Sequence, residues 1–181
     1  GKNLALLTGI SLIGRAARTA REVAEAYVGS RVICSTEDAA IANEAREWGA
    51  EVPFLRPAAL ASDDARTTEV VVHALQTLGG EFDAVVLLQP SSPLTSPQDV
   101  RGAIELFRET GRRVVSVCRA DHSIEWHCRM DSERRLTAVL PAADPYQRQK
   151  LDVSYRPNGA VYVGSPAQVR DGGFWGPDSV G

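Results

Sequence analysis

Apolar positions recur at helical spacing between Ser11 and Tyr27, with Leu12, Ile13, Ala16, Ala17, Ala20, Val23 and Ala24 on one face. This pattern predicts an amphipathic helix lying on a sheet. Arg31 to Ser35 reads as a short buried strand, and Thr36-Glu37-Asp38 can cap a second helix whose apolar face includes Ala40, Ile41, Ala45 and Trp48. Gly49 stands where a left-handed C-cap is favoured, and Glu51 to Leu55 returns as a second strand. After a loop marked by Pro57 and Ser62-Asp63-Asp64, Val71, Ala74, Leu75 and Leu78 place a third helix over Thr67 to Leu78, stopped by Gly79-Gly80. The continuous apolar run from Asp83 to Leu88 is typical of a parallel strand buried on both faces.

Ser96 and Pro97 form an N-cap and N1 pair for a helix running to Glu109, and Arg113 to Cys118 is another β-branched strand. Helix and strand therefore alternate as in α/β folds with right-handed crossovers and a mostly parallel sheet. Beyond Arg119 the character changes. Trp126 to Met130 and Leu136 to Leu140 read as a hairpin, and a polar loop precedes a strand over Ala160 to Val163. The stretch from about 120 to 158 thus reads as an arm, with no internal repeat of the core unit. A chain of 181 residues, 44% of them hydrophobic, suits one domain with a sizeable core.

The formal charge of -3 gives no general pull toward nucleic acid or anionic lipid, so an anionic substrate must be held by local basic residues. No apolar run approaches a bilayer span, and the amino terminus lacks a secretory layout; a soluble cytoplasmic protein is expected. The three cysteines are odd in number and widely spaced, with Cys34 and Cys118 in strand-like runs, which suits reduced thiols. His73, His122 and His127 lack ligand spacing and read as structural.

Chemistry concentrates in a few places. Leu87 to Leu94 follows a buried strand directly and sets Gln89, Ser91 and Ser92 at the carboxyl edge of the sheet, where open α/β folds bind ligands. The same residue types also fit a proline-stiffened turn with serine caps. Lys2 and Asn3 precede the first helix, where a phosphate could meet a cation and a helix amino terminus; a terminal lysine is also commonly a solvated charge. Arg56 can make forked contacts with phosphate or a base edge, with the Thr67 hydroxyl nearby, or be a surface arginine beside an ordinary helix cap. Arg148, Lys150 and Arg156 form a local basic excess that fits an acidic sugar or a solvated loop. Phe174-Trp175 reads as a stacking wall or as small-core aromatics.

In order and spacing, Lys2-Asn3, Gly9 to Gly14, Ser35-Thr36, Leu55 to Asp63, Gln89 to Leu94 and Tyr155 to Tyr162 resemble the acylneuraminate cytidylyltransferases, also called CMP-sialic acid synthetases. The resemblance spans essentially the whole chain. It implies a three-layer Rossmann-like nucleotidyltransferase fold with a β-rich dimerisation arm, a homodimer in which the arm reaches the partner's site, and CTP and an acidic keto-sugar as substrates. Lys2 and Asn3 would close a phosphate loop on CTP, while Arg56 and Thr67 hold the nucleotide. Gln89, Ser91, Ser92 and Tyr162 would contact the sugar, Phe174 and Trp175 would line its pocket, and Arg148 and Arg156 would sit on the arm. Lys2, Asn3 and Gln89 are the expected catalytic set. Mg²⁺ is the implied cofactor, its Asp-x-Asp ligands expected after Gly181 and the family's first strand before Lys2; no Asp-x-Asp occurs in the sequence. Thr95 stands where the family often has arginine, and Trp126 in place of a basic arm residue. A related legionaminic, pseudaminic or Kdo-type acid would suit the same layout, as would a non-catalytic nucleotide-binding dimer module.

Overall fold

A computed structural model describes residues 1–62, 64–140 and 152–181 of the chain. The chain forms two compact units, one of residues 1–116 with 159–181 and one of residues 117–158.

The first unit opens with a 3-10 turn at Lys2–Leu4 and a tight hairpin of β1 (Leu6–Leu7) and β2 (Ile10–Ser11). Both turn residues, Thr8 and Gly9, have positive φ, which a two-residue hairpin with strand-matched twist requires. Helix α1 (Leu12–Ala24) begins at Ser11, whose Oγ accepts from the Gly14 N–H at 2.9 Å and donates to Glu44 Oε1 at 2.6 Å. Helix α2 (Ala39–Glu47) is capped by Asp38, whose carboxylate accepts from the N–H groups of Ala40 and Ile41. Trp48 Nε1 donates to the same Glu44 oxygen at 2.9 Å, so a single carboxylate joins the start of α1 to the end of α2. Around this link Ile13, Ala17, Cys34, Ala45 and Ala50 form a buried cluster; burial pushes the Cys34 thiol up from its ordinary pKa.

Helix α3 (Thr67–Leu78) precedes β3 (Val85–Leu88); α4 (Pro97–Thr110) starts at the Ser96 cap and ends at Gly111, which takes the left-handed conformation. Strand β4 (Val114–Arg119) follows. The second unit contains a 3-10 turn at Ile124–Trp126 and an antiparallel hairpin of β5 (Cys128–Met130) and β6 (Leu136–Ala138). In its turn Asp131 accepts from the N–H groups of Glu133 and Arg135. Trp126, Met130, Leu136, Leu140 and Val153 are exposed there. Strand β7 (Tyr155–Gly164) and helix α5 (Pro166–Gly172) complete the elements.

The larger sheet has the order β3-β7-β4, and β7 runs antiparallel to β3 with Leu87 opposite Tyr162 and Leu88 opposite Val161. Successive side chains point to opposite faces. Val85, Leu87 and Tyr162 therefore pack with Val71, Leu75, Val169 and Phe174 from α3 and the α5 region, while Leu88, Val161 and Val163 pack with Val23, Val100 and Ile104 from α1 and α4. Helices thus cover both faces, giving three layers.

The sheet differs from the mostly parallel one that the helix–strand alternation predicts. The β1–β2, β3–β7 and β5–β6 ladders are antiparallel, and parallel pairing occurs at two isolated bridges, Ile33–Glu51 and Val114–Val180. A parallel neighbour needs a crossover connection, usually a helix. The described residues between β4 and β7 contain a hairpin and a 3-10 turn and no helix of the kind that joins parallel neighbours. The strands expected at 31–35 and 51–55 shorten to the single bridge. Val86 is exposed rather than buried on both faces, because β3 lies at an edge of the three-stranded sheet. Among the described residues no helix is long and apolar enough to cross a membrane.

Two glycine substitutions test this packing in opposite directions. A methyl group on Gly14 would lie 2.5 Å from Trp48 Nε1, so Gly14→Ala should destabilise by about 1–3 kcal/mol through overpacking. Gly102, inside α4, has open space around its Cβ position, and Gly102→Ala should stabilise by about 1 kcal/mol. Urea unfolding of both variants measures the difference.

Candidate active site

Gln89 leaves the end of β3, where its carbonyl accepts from the Ser92 N–H at 3.0 Å and starts a turn that continues from Ser92 O to the Thr95 N–H and hydroxyl. Its side-chain Oε1 lies 3.4 Å from the position a Cβ would take on Gly159, and the Tyr162 hydroxyl lies 4.0 Å from that same point. Gly159 has φ +76°, a conformation that costs an L-residue energy, and its missing side chain leaves the space beside the Gln89 amide. Tyr162 contacts Phe174 with ring centroids 5.8 Å apart. Phe174 is only 6% exposed and belongs to the core, whereas Trp175 beside it is 61% exposed.

A small hollow opens at the same strand end, lined by Arg15, Thr19, Leu88, Gln89, Ser92 and Thr95 among others. The space within it, about 10 Å³, is near what one water molecule needs. Arg15 brings the cation: its guanidinium donates to the Leu7 carbonyl at 2.5 and 3.1 Å and to the Thr8 hydroxyl, tying α1 to the β1–β2 hairpin. Thr19 donates to the Thr95 carbonyl at 3.4 Å.

The remaining expected residues fall elsewhere in the first unit. Lys2 is exposed and Asn3 half-buried on the opening 3-10 turn, whose Leu4 packs against the α1–α2 cluster. Arg56 joins the segment after the Ile33–Glu51 bridge to Thr36: its N–H donates to the Thr36 carbonyl at 2.9 Å and its Nη2 to the Glu37 carboxylate. Its Nε, like the Ser35 hydroxyl, is buried without a hydrogen-bond partner among the described residues. Thr67 is the exposed first residue of α3. Neither Arg56, Thr67, Lys2 nor Asn3 lines the hollow at Gln89; Ser92 does, and Ser91 is exposed on the same turn. Arg156 is exposed on the part of β7 that lies in the second unit. Arg148, with Asp63 and Lys150, lies outside the described residues.

Arg15 and Thr19 escape a reading of the sequence because Arg15, Arg18 and Arg21 together look like the solvated face of an amphipathic helix. Their spacing of four, on the turn that faces Gln89, is the signal that marks them. Among the described residues no group of three or more His, Cys, Asp or Glu side chains is placed to hold a metal ion. The Asp-x-Asp pair that the resemblance implies for Mg²⁺ does not occur in this sequence, so none of the described residues is assigned to the metal.

A three-layer α/β domain with polar groups gathered at a strand end is an architecture that many nucleotide-binding and other enzymes share. The solved structure of CMP:2-keto-3-deoxy-manno-octonic acid synthetase complexed with CTP has the same fold, with a TM-score of 0.68 at 16% identity over 94% of this chain and 70% of that one. The sequence model of the cytidylyltransferase family matches residues 1–153, and the chain belongs to that family. It is 33% identical over 172 residues to the CMP-N,N'-diacetyllegionaminic acid synthase of Legionella pneumophila, covering 93% of this chain and 73% of that protein. It is also 30% identical over 135 residues to the N-acylneuraminate cytidylyltransferase of Escherichia coli O18:K1:H7, covering 74% of this chain and 32% of that protein. The chain thus spans about a third of the length of the Escherichia coli relative.

The Arg56 guanidinium holds the Glu37 carboxyl below the usual carboxylate range, chiefly through their hydrogen bond. A carboxyl depressed in the folded state contributes stability above its unfolded pKa and loses it as pH falls through the folded one. With Glu37 43% exposed, solvent screening limits the pair to about 1 kcal/mol or less. Glu37→Gln should therefore cost less than about 1 kcal/mol at pH 7, and the gap from the parent protein should close well below the ordinary glutamate value of about 4.3. Urea titrations at neutral and acidic pH check both halves; a gap that persists in acid would contradict the pair.

Proposed function

We propose that the chain transfers the cytidylyl group of CTP to the anomeric hydroxyl of a nonulosonic acid of the sialic and legionaminic class, releasing pyrophosphate. The observation that carries this reading is the meeting of Gln89, Gly159 and the Tyr162 hydroxyl at the end of β3. An amide and a phenol beside a glycine-made gap suit a polyhydroxylated acid, and Gln89 also borders the hollow that Arg15 lines.

In the reaction the sugar hydroxyl attacks the α-phosphorus in line. The new oxygen–phosphorus bond forms as the bond to the β-phosphate oxygen breaks, the electron pair leaves with pyrophosphate, and the hydroxyl proton is released. Catalysis of this kind is mostly positioning and charge neutralisation. Lys2 and Asn3 are assigned to the CTP phosphates, and Arg56 with Thr67 to the nucleotide. The buried, unpartnered Arg56 Nε and Ser35 hydroxyl support an outside partner beside the Ile33–Glu51 bridge. Gln89, Ser91, Ser92 and Tyr162 orient the sugar, with Trp175 and Phe174 as its apolar wall. Mg²⁺ is the expected cofactor. The exposed apolar side chains of the second unit support its reading as the arm of a homodimer, with Arg156 and Arg148 assigned to the acidic sugar.

Incubating the protein with CTP, Mg²⁺ and either N,N'-diacetyllegionaminic acid or N-acetylneuraminic acid should release pyrophosphate, and CTP binding without release from either acid would overturn the reading. Gln89→Ala should raise KM for the accepted sugar about tenfold or more, as loss of a hydrogen bond in a polar pocket does, with KM for CTP changed by less than about twofold. Gly159→Ala, which places a methyl 3.4 Å from Gln89 Oε1 in a left-handed backbone, should act in the same direction. Equal losses for both substrates would remove Gln89 from the sugar side.

A further inference from the structure

Arg113 opens the strand that becomes β4, and its side chain is only 11% exposed. One guanidinium there meets three acceptors from the far end of the chain. Nε donates to the Gly173 carbonyl at 3.0 Å, Nη2 to the Gln168 carbonyl at 3.2 Å and Nη1 to the Asp178 carboxylate at 2.5 Å. Its own backbone carbonyl accepts from the Val180 N–H at 2.8 Å, and the Val180 carbonyl in turn accepts from the Val115 N–H at 2.9 Å.

These bonds bracket the segment that carries Phe174 and Trp175, with Gly173 before it and Asp178 after it. The segment has little room to settle otherwise. A Cβ on Gly173, whose φ is +79°, would lie 2.7 Å from Thr68 Oγ1, and one on Gly176 would lie 3.1 Å from Arg113 Nη1. The backbone is therefore pressed against both α3 and the guanidinium. Phe174 passes the constraint on through its ring contact with Tyr162, whose hydroxyl lies beside the Gly159 gap and Gln89. Lysine could supply the charge at position 113 but not a planar fork reaching three acceptors.

We propose that Arg113 is a positioning residue for the sugar side of the site, setting the Phe174–Trp175 wall and, through it, the Tyr162 hydroxyl. This rests on the sugar-side reading of Tyr162 and Trp175 given above. Arg113 touches neither substrate in this role and acts only through the loop it clamps.

The test is steady-state kinetics of Arg113→Lys and Asp178→Asn, with CTP and whichever of the two sugar acids the parent protein uses. Asp178→Asn is nearly isosteric and removes one acceptor's charge, so it serves if the position 113 variant folds poorly. Both variants should raise KM for the sugar acid, Arg113→Lys by about tenfold, while KM for CTP stays within about twofold and kcat is largely kept. Parallel losses for both substrates, or lowered thermal stability with an unchanged ratio of the two KM values, would mean a structural role and overturn the proposal. Trp175→Ala, at an exposed position, tests the underlying assignment in the same assay. A raised sugar KM in Trp175→Ala with normal kinetics in both clamp variants overturns the role of Arg113 alone. An unchanged sugar KM in Trp175→Ala overturns the sugar-side assignment and the role with it.

Discussion

The register between β3 and β7 is the constraint on which both the core and the site depend. With Leu88 opposite Val161 and Leu87 opposite Tyr162, Val161 and Val163 enter the layer of α1 and α4 while Tyr162 enters that of α3 and α5. A slip of one residue would turn the two valines and the tyrosine to the wrong faces, exchanging tightly packed apolar volume for a phenol. The same register fixes Gly159, two residues before Val161, against the Gln89 amide that follows Leu88. Burial of the valines, which are almost wholly inaccessible, thus holds polar groups in place at the strand end without any polar bond between them.

The helices were legible because their signals are local. Asp38, the Ser96-Pro97 pair, Gly49 and Gly79 act within one turn of the helices they start or stop, and each stands where the sequence places it. Strand direction was not legible in the same way. It depends on β7 meeting β3 across α4, β4 and the second unit, and an apolar run such as Val85–Leu88 looks the same beside a parallel or an antiparallel neighbour. The β1–β2 hairpin is a different kind of miss. Leu-Leu-Thr-Gly-Ile is a turn flanked by apolar residues, but the stronger helical pattern from Ser11 onward drew the boundary away from it.

The site divides along the same line. Gln89 stands out from the sequence because a polar residue directly after an apolar strand lies at the edge where α/β folds bind ligands. Arg113 does not, since an arginine at a strand start is ordinary until Gln168, Gly173 and Asp178 are brought to it from the other end of the chain. Arg56 is intermediate: its type suggested anion or base recognition, while its pairing with Glu37 belongs to the fold alone. Phe174 and Trp175, adjacent in sequence, separate into a core residue and an exposed one, a division that residue type alone does not mark.

The segment around Arg56 combines a hydrogen-bonded backbone with side-chain groups left unmatched. Its backbone is bonded: the Arg56 N–H reaches the Thr36 carbonyl, and the buried Thr36 hydroxyl accepts from the Asp38 N–H that begins the α2 cap. One end of the guanidinium is held by Glu37, yet Nε and the neighbouring Ser35 hydroxyl remain buried and unmatched among the described residues. Each such group costs about 1–3 kcal/mol against a satisfied one, a burden that the α1–α2 core beside it can carry. A donor already satisfied inside the fold would gain little by exchanging its partner for a ligand. A rigidly held donor with no partner gains the whole bond, which is the physical advantage of leaving it unmatched on a preorganised frame.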